Sequence, residues 1–431
     1  MIRFVYNLLW PLGLFIFLPG YFAKMIRRGG YREKFGQRLG IYDGEMRNRL
    51  SNQRSTWLHA VSVGEVNIAL KLANALRALE PDLRCVLTTT TTTGFALARK
   101  TAPPWIEVMY SPLDYWPIMR RAFSVIRPAR IVLIEAEVWP NLAATAHARR
   151  IPLALVNARL SPRSERRYRR FRFFVAPTFR LLDLVCVPEQ RDIERWAALG
   201  VPEDRIQLTG SIKFDPEVQT ENAPVAASLW DAAPGPMERL VLFGGSTHPG
   251  EEEILAEVFL RLREQFPSLR LFIAPRHVER LQAIRAQLDR MPMRVTLTSE
   301  ALTGDGADAD CMLLDTTGEL QRWYGIATVV FIGKSLTAQG GQNPVEPILS
   351  GKPVVFGPHM ENFATLARTL ISNKAAMQIS DTHSLESALA ELLSDSESRQ
   401  RLVKNAHAAL NEHKGGTART AMLVHELEWR H

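Results

Sequence analysis

An acidic residue follows the first short apolar run of the chain in a position from which it can act on a substrate. The run Thr56–Ala60 leads into a tight Ser62-Val63-Gly64 turn, and Glu65 then opens an amphipathic stretch. A carboxylate placed there can accept the proton of a substrate hydroxyl as a general base. An acid in the first turn of a helix also complements the helix dipole, which is a purely structural role. The placement of Glu65 leaves both interpretations open.

Two more acids and a lysine occupy comparable positions further along the chain. Glu135 and Glu137 follow an apolar run directly and precede Trp139-Pro140. Acids that leave a buried strand favour a functional site, although they can also accept hydrogen bonds from nearby backbone. Lys213, in the segment TGSIKFD, adjoins a stretch with the composition of a linker. This lysine is either solvated or part of the same site.

The second half of the chain repeats the pattern of a short strand followed by a polar turn and a helix. The backbone N–H groups at helix N-termini bind anions well, and proline suits a first helical position. An arginine and a carboxylate are also present, and Glu346 is placed to accept ribose hydroxyls. Together these turns predict a pocket for a nucleotide. They are FGGSTHPGEEE (residues 243–253), IAPRH with Arg276 and His277, DTTGEL with Thr317-Gly318-Glu319, and GGQNPVEP with Asn343-Pro344-Val345-Glu346.

Other kinds of site lack their sequence signatures. The ten histidines form no HExxH or HxH pattern, and the three cysteines form no CxxC, so a catalytic zinc site is not expected. There is no GxxxxGK[ST] phosphate loop and no GxSxG nucleophile turn. Three well-separated cysteines also fit a reducing compartment rather than a disulfide framework.

Short apolar runs alternate with amphipathic stretches through most of the chain, and this alternation predicts two parallel, doubly wound α/β domains that face each other across a cleft. The predicted strands are Thr56–Ala60, Cys85–Thr89, Ile131–Glu135, Leu153–Asn157, Leu184–Val187, Leu240–Gly244, Leu271–Ala274, Met312–Asp315, Thr328–Ile332 and Val354–Phe356. The predicted helices include Val66–Leu79, Pro117–Ile126, Gln190–Leu199, Glu251–Gln265 and Val278–Leu288. The segment Phe214–Gly235 has no clear period and is expected to be a linker.

The N-terminus carries a stretch without charge that predicts attachment to a membrane. It runs from Phe4 to Ala23, which as a helix is about 30 Å long, close to one hydrocarbon thickness. Basic residues follow this stretch, so the body is expected on the cytoplasmic side. A spanning anchor and a helix embedded in one leaflet both fit, whereas a cleaved signal peptide fits poorly because a small-x-small cleavage site is missing.

A run of arginines interleaved with aromatic residues forms a second basic feature, in a chain whose net charge is +8. Such a run is compatible with a basic face of a soluble helix, with a nucleic-acid surface, or with a surface that binds membrane phosphates. The nearby anchor favours the membrane, and we expect no nucleic-acid partner. The arginines are Arg163, Arg166, Arg167, Arg169, Arg170 and Arg172.

Taken in order, several segments give the chain a resemblance to a known family. VSVGE, the acidic segment before WPN, TGSIKFD, GGSTHPGEEE, PRH, DTTGEL and GGQNPVEP resemble the 3-deoxy-D-manno-octulosonic acid (Kdo) transferases of lipopolysaccharide synthesis. The resemblance covers nearly the whole chain. It implies a metal-independent GT-B glycosyltransferase with no cofactor. That enzyme would work at the cytoplasmic face of the inner membrane, moving Kdo from CMP-Kdo to the phosphorylated lipid A precursor with inversion.

The resemblance also implies roles for individual residues. Glu65 matches the general base, and Glu135 and Lys213 match the groups that support the transition state. The implied contacts to CMP are Pro275, Arg276, Thr317, Gly318, Glu319, Asn343, Pro344, Val345 and Glu346.

This chain departs from the family pattern in two places. It has Ala136 and Val138 where the family often reads Glu-Thr-Glu-Leu, and Ala338-Gln339 and Gln342 around a Gly-Gly turn that often reads Glu-Arg-Gly-Gly-His. A GT-B transferase with a different nucleotide sugar is the alternative. The expected organisation is an anchor at 1–24, an acceptor-binding domain at 25–215, a linker at 216–236, a CMP-sugar-binding domain at 237–405 and a helix at 406–431 that packs back on the N-terminal domain.

Overall fold

A computed structural model describes residues 3–10, 34–51, 54–215, 239–301, 309–316 and 320–427. The chain divides into two compact units. Unit 1 comprises the chain up to Asp215 together with the segment from His413 onward, and unit 2 extends from Pro216 to Glu412. Each unit is built on its own parallel seven-stranded sheet.

The sheet of unit 1 has the strand order β3-β2-β1-β4-β5-β6-β7, and all its strand pairs are parallel. Because every strand runs in the same direction, the loops at the carboxyl ends of all the strands meet at one edge. The strands are β1 (Ser55–Ala60), β2 (Cys85–Thr89), β3 (Ile106–Tyr110), β4 (Pro128–Ile134), β5 (Leu153–Val156), β6 (Leu184–Val187) and β7 (Ile206–Leu208).

Helices cover both faces of this sheet, and each face has its own apolar core. One core centres on Trp57, Phe123 and Trp196, and the other on Leu58, Leu72 and Leu87. Strands that are buried on both faces explain the near-continuous apolar runs of the sequence. The helices are Gly44–Ser51, Val63–Leu79, Thr92–Thr101, Trp116–Ile126, Pro140–Ala148, Pro162–Arg170, Arg172–Phe179 and Gln190–Ala198, with 3₁₀ turns at Phe35–Leu39 and Glu203–Arg205.

A C-terminal helix, Gly416–His425, completes unit 1 by packing against the helix Val63–Leu79. Its buried residues Ala421 and Val424 join the second core of the unit. The predicted start of this returning segment, residue 406, is wrong because it falls inside the helix Ser396–Asn411 of unit 2. The helical pattern is continuous through residue 406 and is broken only at Gly415-Gly416, so the local sign in the sequence lies just after His413 rather than at residue 406.

Unit 2 has the strand order β10-β11-β9-β8-β12-β13-β14, again entirely parallel. Its strands are β8 (Leu240–Thr247), β9 (Leu269–Pro275), β10 (Val295–Leu297), β11 (Cys311–Leu313), β12 (Val329–Ile332), β13 (Val354–Phe356) and β14 (Met377–Gln378). Its helices are Glu251–Gln265, Leu281–Leu288, Thr298–Glu300, Leu320–Trp323, Val345–Leu349, Ala364–Ser372, Thr382–Ser394 and Ser396–Asn411, with 3₁₀ turns at Val278–Arg280, Tyr324–Ile326 and Glu361–Phe363.

The two parallel sheets confirm the prediction of two parallel α/β domains, and all ten predicted strands are present with small shifts at their ends. Four short strands, β3, β7, β10 and β14, were not predicted. The predicted helix Val278–Leu288 is in fact a 3₁₀ turn followed by the helix Leu281–Leu288.

Most of the predicted membrane anchor, and the linker segment 216–236, lie outside the described residues. Residues 3–10 are helical. Within the described ranges, no helix combines the length and the apolar composition that crossing a membrane requires.

Candidate active site

Glu65 lies in the first turn of the helix Val63–Leu79, at the carboxyl edge of the unit 1 sheet. Its carboxylate accepts hydrogen bonds from the backbone N–H of Val61 (2.8 Å) and from the Ser62 hydroxyl (2.9 Å). Ser62 in turn accepts a bond from the Glu65 backbone N–H, so the pair caps the helix. Only 8% of Glu65 is exposed. Burial, with smaller contributions from the charges of Glu135 and Glu137, raises the pKa of Glu65 to about 7.

Glu135 is the first residue after β4, and its backbone has left-handed geometry with φ of 64°. This conformation is uncommon for residues other than glycine, asparagine and aspartate, and it occurs often at functional sites. The Glu135 N–H donates to the Val156 carbonyl, which anchors the turn to β5. Glu137 follows two residues later, where burial raises the pKa of its carboxyl while the charge of Arg167 opposes that rise.

Lys213 lies in a turn that the sheet holds through Asn157. The Asn157 side-chain oxygen accepts hydrogen bonds from the Ser211 hydroxyl (3.3 Å) and from the Ile212 N–H (3.2 Å). Burial lowers the pKa of Lys213, the negative charge of Glu135 opposes this, and the positive charge of Arg159 adds to it. The structure therefore brings Lys213 near Glu135, and Glu135 near Glu65, on one edge of one unit.

This arrangement supplies the parts of a proton-transfer site. A buried carboxyl with a pKa near neutrality can take up a proton at physiological pH, which is the requirement for a general base. A neighbouring ammonium group can stabilise negative charge that develops on a reacting molecule. Charge interactions thus connect all three residues for which the sequence suggested catalytic roles in the first domain.

Sequence analysis did not identify two residues of this edge, Asn157 and Arg159. Asn157 is fully buried with φ of 50°, and it fixes the turn that carries Lys213. The guanidinium of Arg159 lies 5.3 Å from the centre of the Phe214 ring. The available signal was an asparagine at the end of a predicted strand and an arginine two residues later. Because the predicted strand Leu153–Asn157 included the asparagine, its functional position was not recognised.

In unit 2, the ends of β8 and β9 meet at the carboxyl edge of the sheet. Pro275 is buried as the last residue of β9, and the Arg276 N–H donates to the Thr247 carbonyl at the end of β8 (3.0 Å). The Arg276 side chain is exposed at this edge. The neighbouring rings of His248 and His277 lie 5.8 Å apart. The predicted contact pair Pro275-Arg276 thus stands next to the Gly-Gly-Ser-Thr-His turn.

The predicted contacts Asn343 to Glu346 follow the loop after β12, on the other side of β8. The Asn343 side-chain oxygen accepts from the Val345 N–H (3.0 Å), and its amide donates to Glu346 (3.0 Å). Pro344 and Val345 are buried. Glu346 lies near the buried Tyr324, where its charge adds to burial in raising the pKa of the tyrosine. Both predicted groups therefore come after strands that neighbour β8 in the sheet, Pro275-Arg276 at β9 and Asn343–Glu346 beyond β12.

Glu251 fixes the turn at the end of β8 to the loop after β12. Its buried carboxylate accepts four backbone N–H bonds, from His248 (2.8 Å), Lys334 (2.7 Å), Ser335 (3.0 Å) and Leu336 (3.1 Å). The sequence pattern suggested that the amides near this helix start hold a ligand anion. That stays a prediction. The Glu251 carboxylate occupies the backbone N–H of His248, which precedes the helix, so a bound anion would use other donors.

The remaining predicted contacts, Thr317, Gly318 and Glu319, lie outside the described residues. Among the residues that the structure does describe, no group of three or more histidine, cysteine, aspartate or glutamate side chains is arranged to hold a metal ion.

Comparison with solved structures identifies the architecture. A glycotransferase of kitacinnamycin superposes with a TM-score of 0.54 and 17% identity over 86% of this chain and 98% of that one. UDP-GlcNAc 2-epimerase from Neisseria meningitidis, solved with UDP-GlcNAc bound, superposes with a TM-score of 0.53 and 12% identity over 87% of this chain and 99% of that one. These similarities show the fold alone, and that fold is GT-B.

Sequence comparison then identifies the family. The family model described as 3-deoxy-D-manno-octulosonic-acid transferase (kdotransferase) matches residues 33–216. The 3-deoxy-D-manno-octulosonic acid transferase of Haemophilus influenzae is 31% identical over 91% of both chains, and that of Bordetella pertussis is 33% identical over 84% of this chain and 85% of its own. The chain belongs to the Kdo transferase family, and it is a glycosyltransferase.

Proposed function

We propose that this protein transfers Kdo from CMP-Kdo to the phosphorylated disaccharide lipid that is the precursor of lipid A. Membership of the Kdo transferase family supports the sugar and the place of the reaction in lipopolysaccharide synthesis. The observation that carries the mechanism is the grouping of Glu65, Glu135 and Lys213 in unit 1, with a pKa near 7 for Glu65.

Glu65 is the proposed general base. The oxygen of an acceptor hydroxyl forms a bond to the anomeric carbon of Kdo while the bond from that carbon to the phosphate oxygen of CMP breaks. The hydroxyl proton passes to the Glu65 carboxylate, and CMP leaves with the electron pair of the broken bond. Attack from the face opposite the leaving group inverts the anomeric centre. General-base action of this kind is worth about 10²–10⁴-fold in rate.

Glu135 and Lys213 are the proposed supports of the transition state. The ammonium of Lys213 stabilises negative charge on the reacting groups, and Glu135 keeps this lysine protonated because its negative charge opposes the effect of burial on the lysine pKa. Since the positive charge is supplied by a side chain, the proposed reaction requires no metal ion, and EDTA is expected to leave the rate unchanged.

Unit 2 supplies the proposed contacts to the CMP part of the donor. Arg276 is bonded to the end of β8 through its backbone N–H, and the segment Asn343–Glu346 follows the loop after β12, the strand on the other side of β8. The Arg276 guanidinium is proposed to pair with the phosphate, and Glu346 to accept a ribose hydroxyl. By the sequence resemblance, Thr317-Gly318-Glu319 belong to the same site.

We also propose that unit 1 works at the cytoplasmic surface of the inner membrane and contacts phospholipids there. Arg3 and Asn7 in the helical residues 3–10 hydrogen-bond the buried Asn141 side chain, at 3.1 and 2.9 Å. The apolar side chains of the same segment, Phe4, Leu8 and Leu9, are exposed. The helices that carry the arginine run expose further aromatic rings, which is the composition of an interfacial surface. These rings are Phe171, Phe173 and Phe174.

The proposal is tested with the purified full-length protein, CMP-Kdo and the phosphorylated disaccharide lipid. Release of CMP and a mass increase of the lipid by the mass of one or more Kdo groups are expected. CMP should inhibit competitively against CMP-Kdo, whereas UDP and GDP should not. Inhibition by UDP or GDP instead, without Kdo transfer, would favour the alternative GT-B enzyme.

The variant Glu65→Gln isolates the general base. It is expected to lower kcat by about 10²–10⁴-fold with an unchanged circular dichroism spectrum. Glu397→Gln is the matched control, because Glu397 is an exposed acid in the first turn of another helix. Full activity in Glu65→Gln would remove this residue from the base role without affecting the assignment of the donor sugar.

A further inference from the structure

Arg159 is held in a fixed position at the same edge of unit 1 as Glu65 and Lys213. The N–H of the preceding residue, Ala158, donates to the Cys186 carbonyl on β6 (2.9 Å), and its carbonyl accepts from the buried Trp196 indole (3.2 Å). Asn157, one residue earlier, is bonded to the turn that carries Lys213. The backbone that presents Arg159 is therefore tied to three neighbouring segments.

The Arg159 side chain lies against an aromatic ring that Lys213 shares. The centre of the Phe214 ring is 5.3 Å from the Arg159 guanidinium and 5.8 Å from the Lys213 ammonium. The ring contact fixes the orientation of the guanidinium and reduces the rotamer entropy that is lost when it binds a ligand. The two cations are close enough for Arg159 to lower the pKa of Lys213.

The acids around Arg159 do not fully neutralise it. Its ion pair with Glu189 is long, at 4.0 Å, because the other oxygen of Glu189 pairs with Arg191 at 2.6 Å. Burial raises the pKa of Asp192, and the charge of Arg159 is one of the effects that oppose this rise. Asp192 itself pairs with Arg195 at 3.1 Å. Glu135 acts on Lys213. Each of these three acids is thus shared with another cation, while 21% of the Arg159 side chain remains accessible.

We propose that Arg159, together with Lys213, forms an anion subsite that binds a carboxylate or phosphate group of a substrate while Glu65 deprotonates the acceptor hydroxyl. The inference rests on the Kdo transfer proposed above. A guanidinium presents two parallel N–H donors, which match the two oxygens of either group, and a neighbouring ammonium adds a point charge. Two sources have this chemistry: a phosphate of the acceptor lipid and the carboxylate of the donor sugar.

The test compares Arg159→Gln, Arg159→Lys and the control Arg99→Gln in the full-length protein. Arg99 is an exposed arginine of the same unit, in the last turn of the helix Thr92–Thr101. Arg159→Gln is expected to raise the KM of one substrate at least tenfold, Arg159→Lys to raise it less, and Arg99→Gln to leave both KM values within twofold of wild type. Thermal melting verifies that each variant is folded.

The substrate whose KM changes identifies the anion. If the acceptor KM rises, and the difference disappears with an acceptor from which the phosphates have been removed, the ligand is the phosphate. If the CMP-Kdo KM rises with either acceptor, the ligand is the sugar carboxylate. KM values within twofold of wild type for both substrates in Arg159→Gln, or equal losses in Arg99→Gln, would overturn the proposal.

A binding titration separates this inference from the proposed function because it needs no turnover. The phosphorylated lipid and CMP-Kdo are each titrated into wild type and Arg159→Gln. If wild type binds one of them at least tenfold more tightly than the variant but transfers no Kdo, the subsite stands and the proposed reaction fails. If wild type transfers Kdo and both proteins bind both substrates equally, the reaction stands and the subsite fails.

Discussion

Glu135 lies close enough to Glu65 for its negative charge to raise the pKa of Glu65, in addition to the larger effect of burial. A second charge in a site can therefore set the pH at which the base becomes ionised. Glu135 also affects Lys213 in the opposite sense, by favouring the charged ammonium. The charge of one carboxylate thus favours the protonated form of both the Glu65 carboxyl and the Lys213 ammonium.

The first prediction concerns the pH profile of the reaction. Since Glu65 must be ionised to accept a proton and its pKa is about 7, kcat should rise with pH through neutrality. Glu135→Gln removes a charge that raises this pKa, so the acidic limb of the profile should move to lower pH, whatever the loss in maximal rate. The profile is measured by CMP release between pH 5 and pH 9, a range wide enough to cover both sides of about pH 7.

The control for this prediction is Glu194→Gln, an exposed acid on the helix Gln190–Ala198. It should leave the position of the limb unchanged. An acidic limb that stays in place in Glu135→Gln would mean that the limb does not report Glu65, or that Glu135 is electrostatically isolated from it.

The second prediction is that ionisation of Glu65 destabilises the fold. An unfolded glutamate ionises near its ordinary value of 4.5, whereas folded Glu65 stays protonated until about pH 7. The folded state therefore binds more protons between these values, and the stability that Glu65 contributes is present at low pH and is lost as pH rises through 7. The difference is at most about 3 kcal/mol, at 1.36 kcal/mol for each unit of pKa.

Glu65→Gln removes this dependence because the amide does not titrate. Relative to wild type, the variant should gain melting temperature between pH 5 and pH 8, where the wild-type carboxyl becomes charged. Parallel melting curves for the two proteins across that range would contradict the raised pKa of Glu65.

The sequence located those parts of the site that follow long apolar strands, such as Glu65 after β1 and Glu135 after β4. These strands are buried on both faces and show as runs of apolar residues. Strands such as β10 (Val295–Leu297) and β14 (Met377–Gln378) are too short to show any period. Asn157 was read as the end of a strand because left-handed geometry at a single residue leaves no mark on hydrophobic periodicity.

The role of Glu251 depends on the tertiary structure, so no local sequence pattern could predict it. The sequence analysis gave Glu251 no role of its own and placed it only within the segment FGGSTHPGEEE of the predicted nucleotide pocket. Its partners Lys334, Ser335 and Leu336 lie more than eighty positions further along the chain. Only the pairing of β8 with β12 brings that loop to the start of this helix.

The third prediction concerns Asp215, the last residue of the first part of unit 1. Its buried carboxylate accepts hydrogen bonds from the backbone N–H groups of Gly415 and Thr417, both at 2.7 Å, and so fixes the start of the C-terminal helix. Asp215→Asn replaces one acceptor oxygen with a donor that faces another donor. The loss should be about 2 kcal/mol of stability, measured by urea unfolding of the tryptophan fluorescence.

The exposed acid Glu412 provides the comparison for Asp215. Glu412→Gln should unfold at the same urea concentration as wild type. Equal midpoints for Asp215→Asn and wild type would show that the C-terminal helix is held by its apolar face against the helix Val63–Leu79 rather than by this carboxylate.

The last prediction concerns Glu251, whose carboxylate accepts four backbone hydrogen bonds in a buried position. In Glu251→Gln, the amide group turns a donor toward N–H groups that have no other acceptor in this turn. The expected cost is about 3 kcal/mol of stability, since bonds to a charged acceptor are stronger than neutral ones. The loop at residues 334–336 should also relax and raise the KM for CMP-Kdo at least fivefold, while the KM for the acceptor stays constant.

Glu253→Gln, two positions away and exposed, removes a charge from the same helix turn and should reproduce neither effect. If Glu251→Gln alters the KM values of both substrates equally, the loop does not act on the donor specifically, and the carboxylate is only a structural support of unit 2.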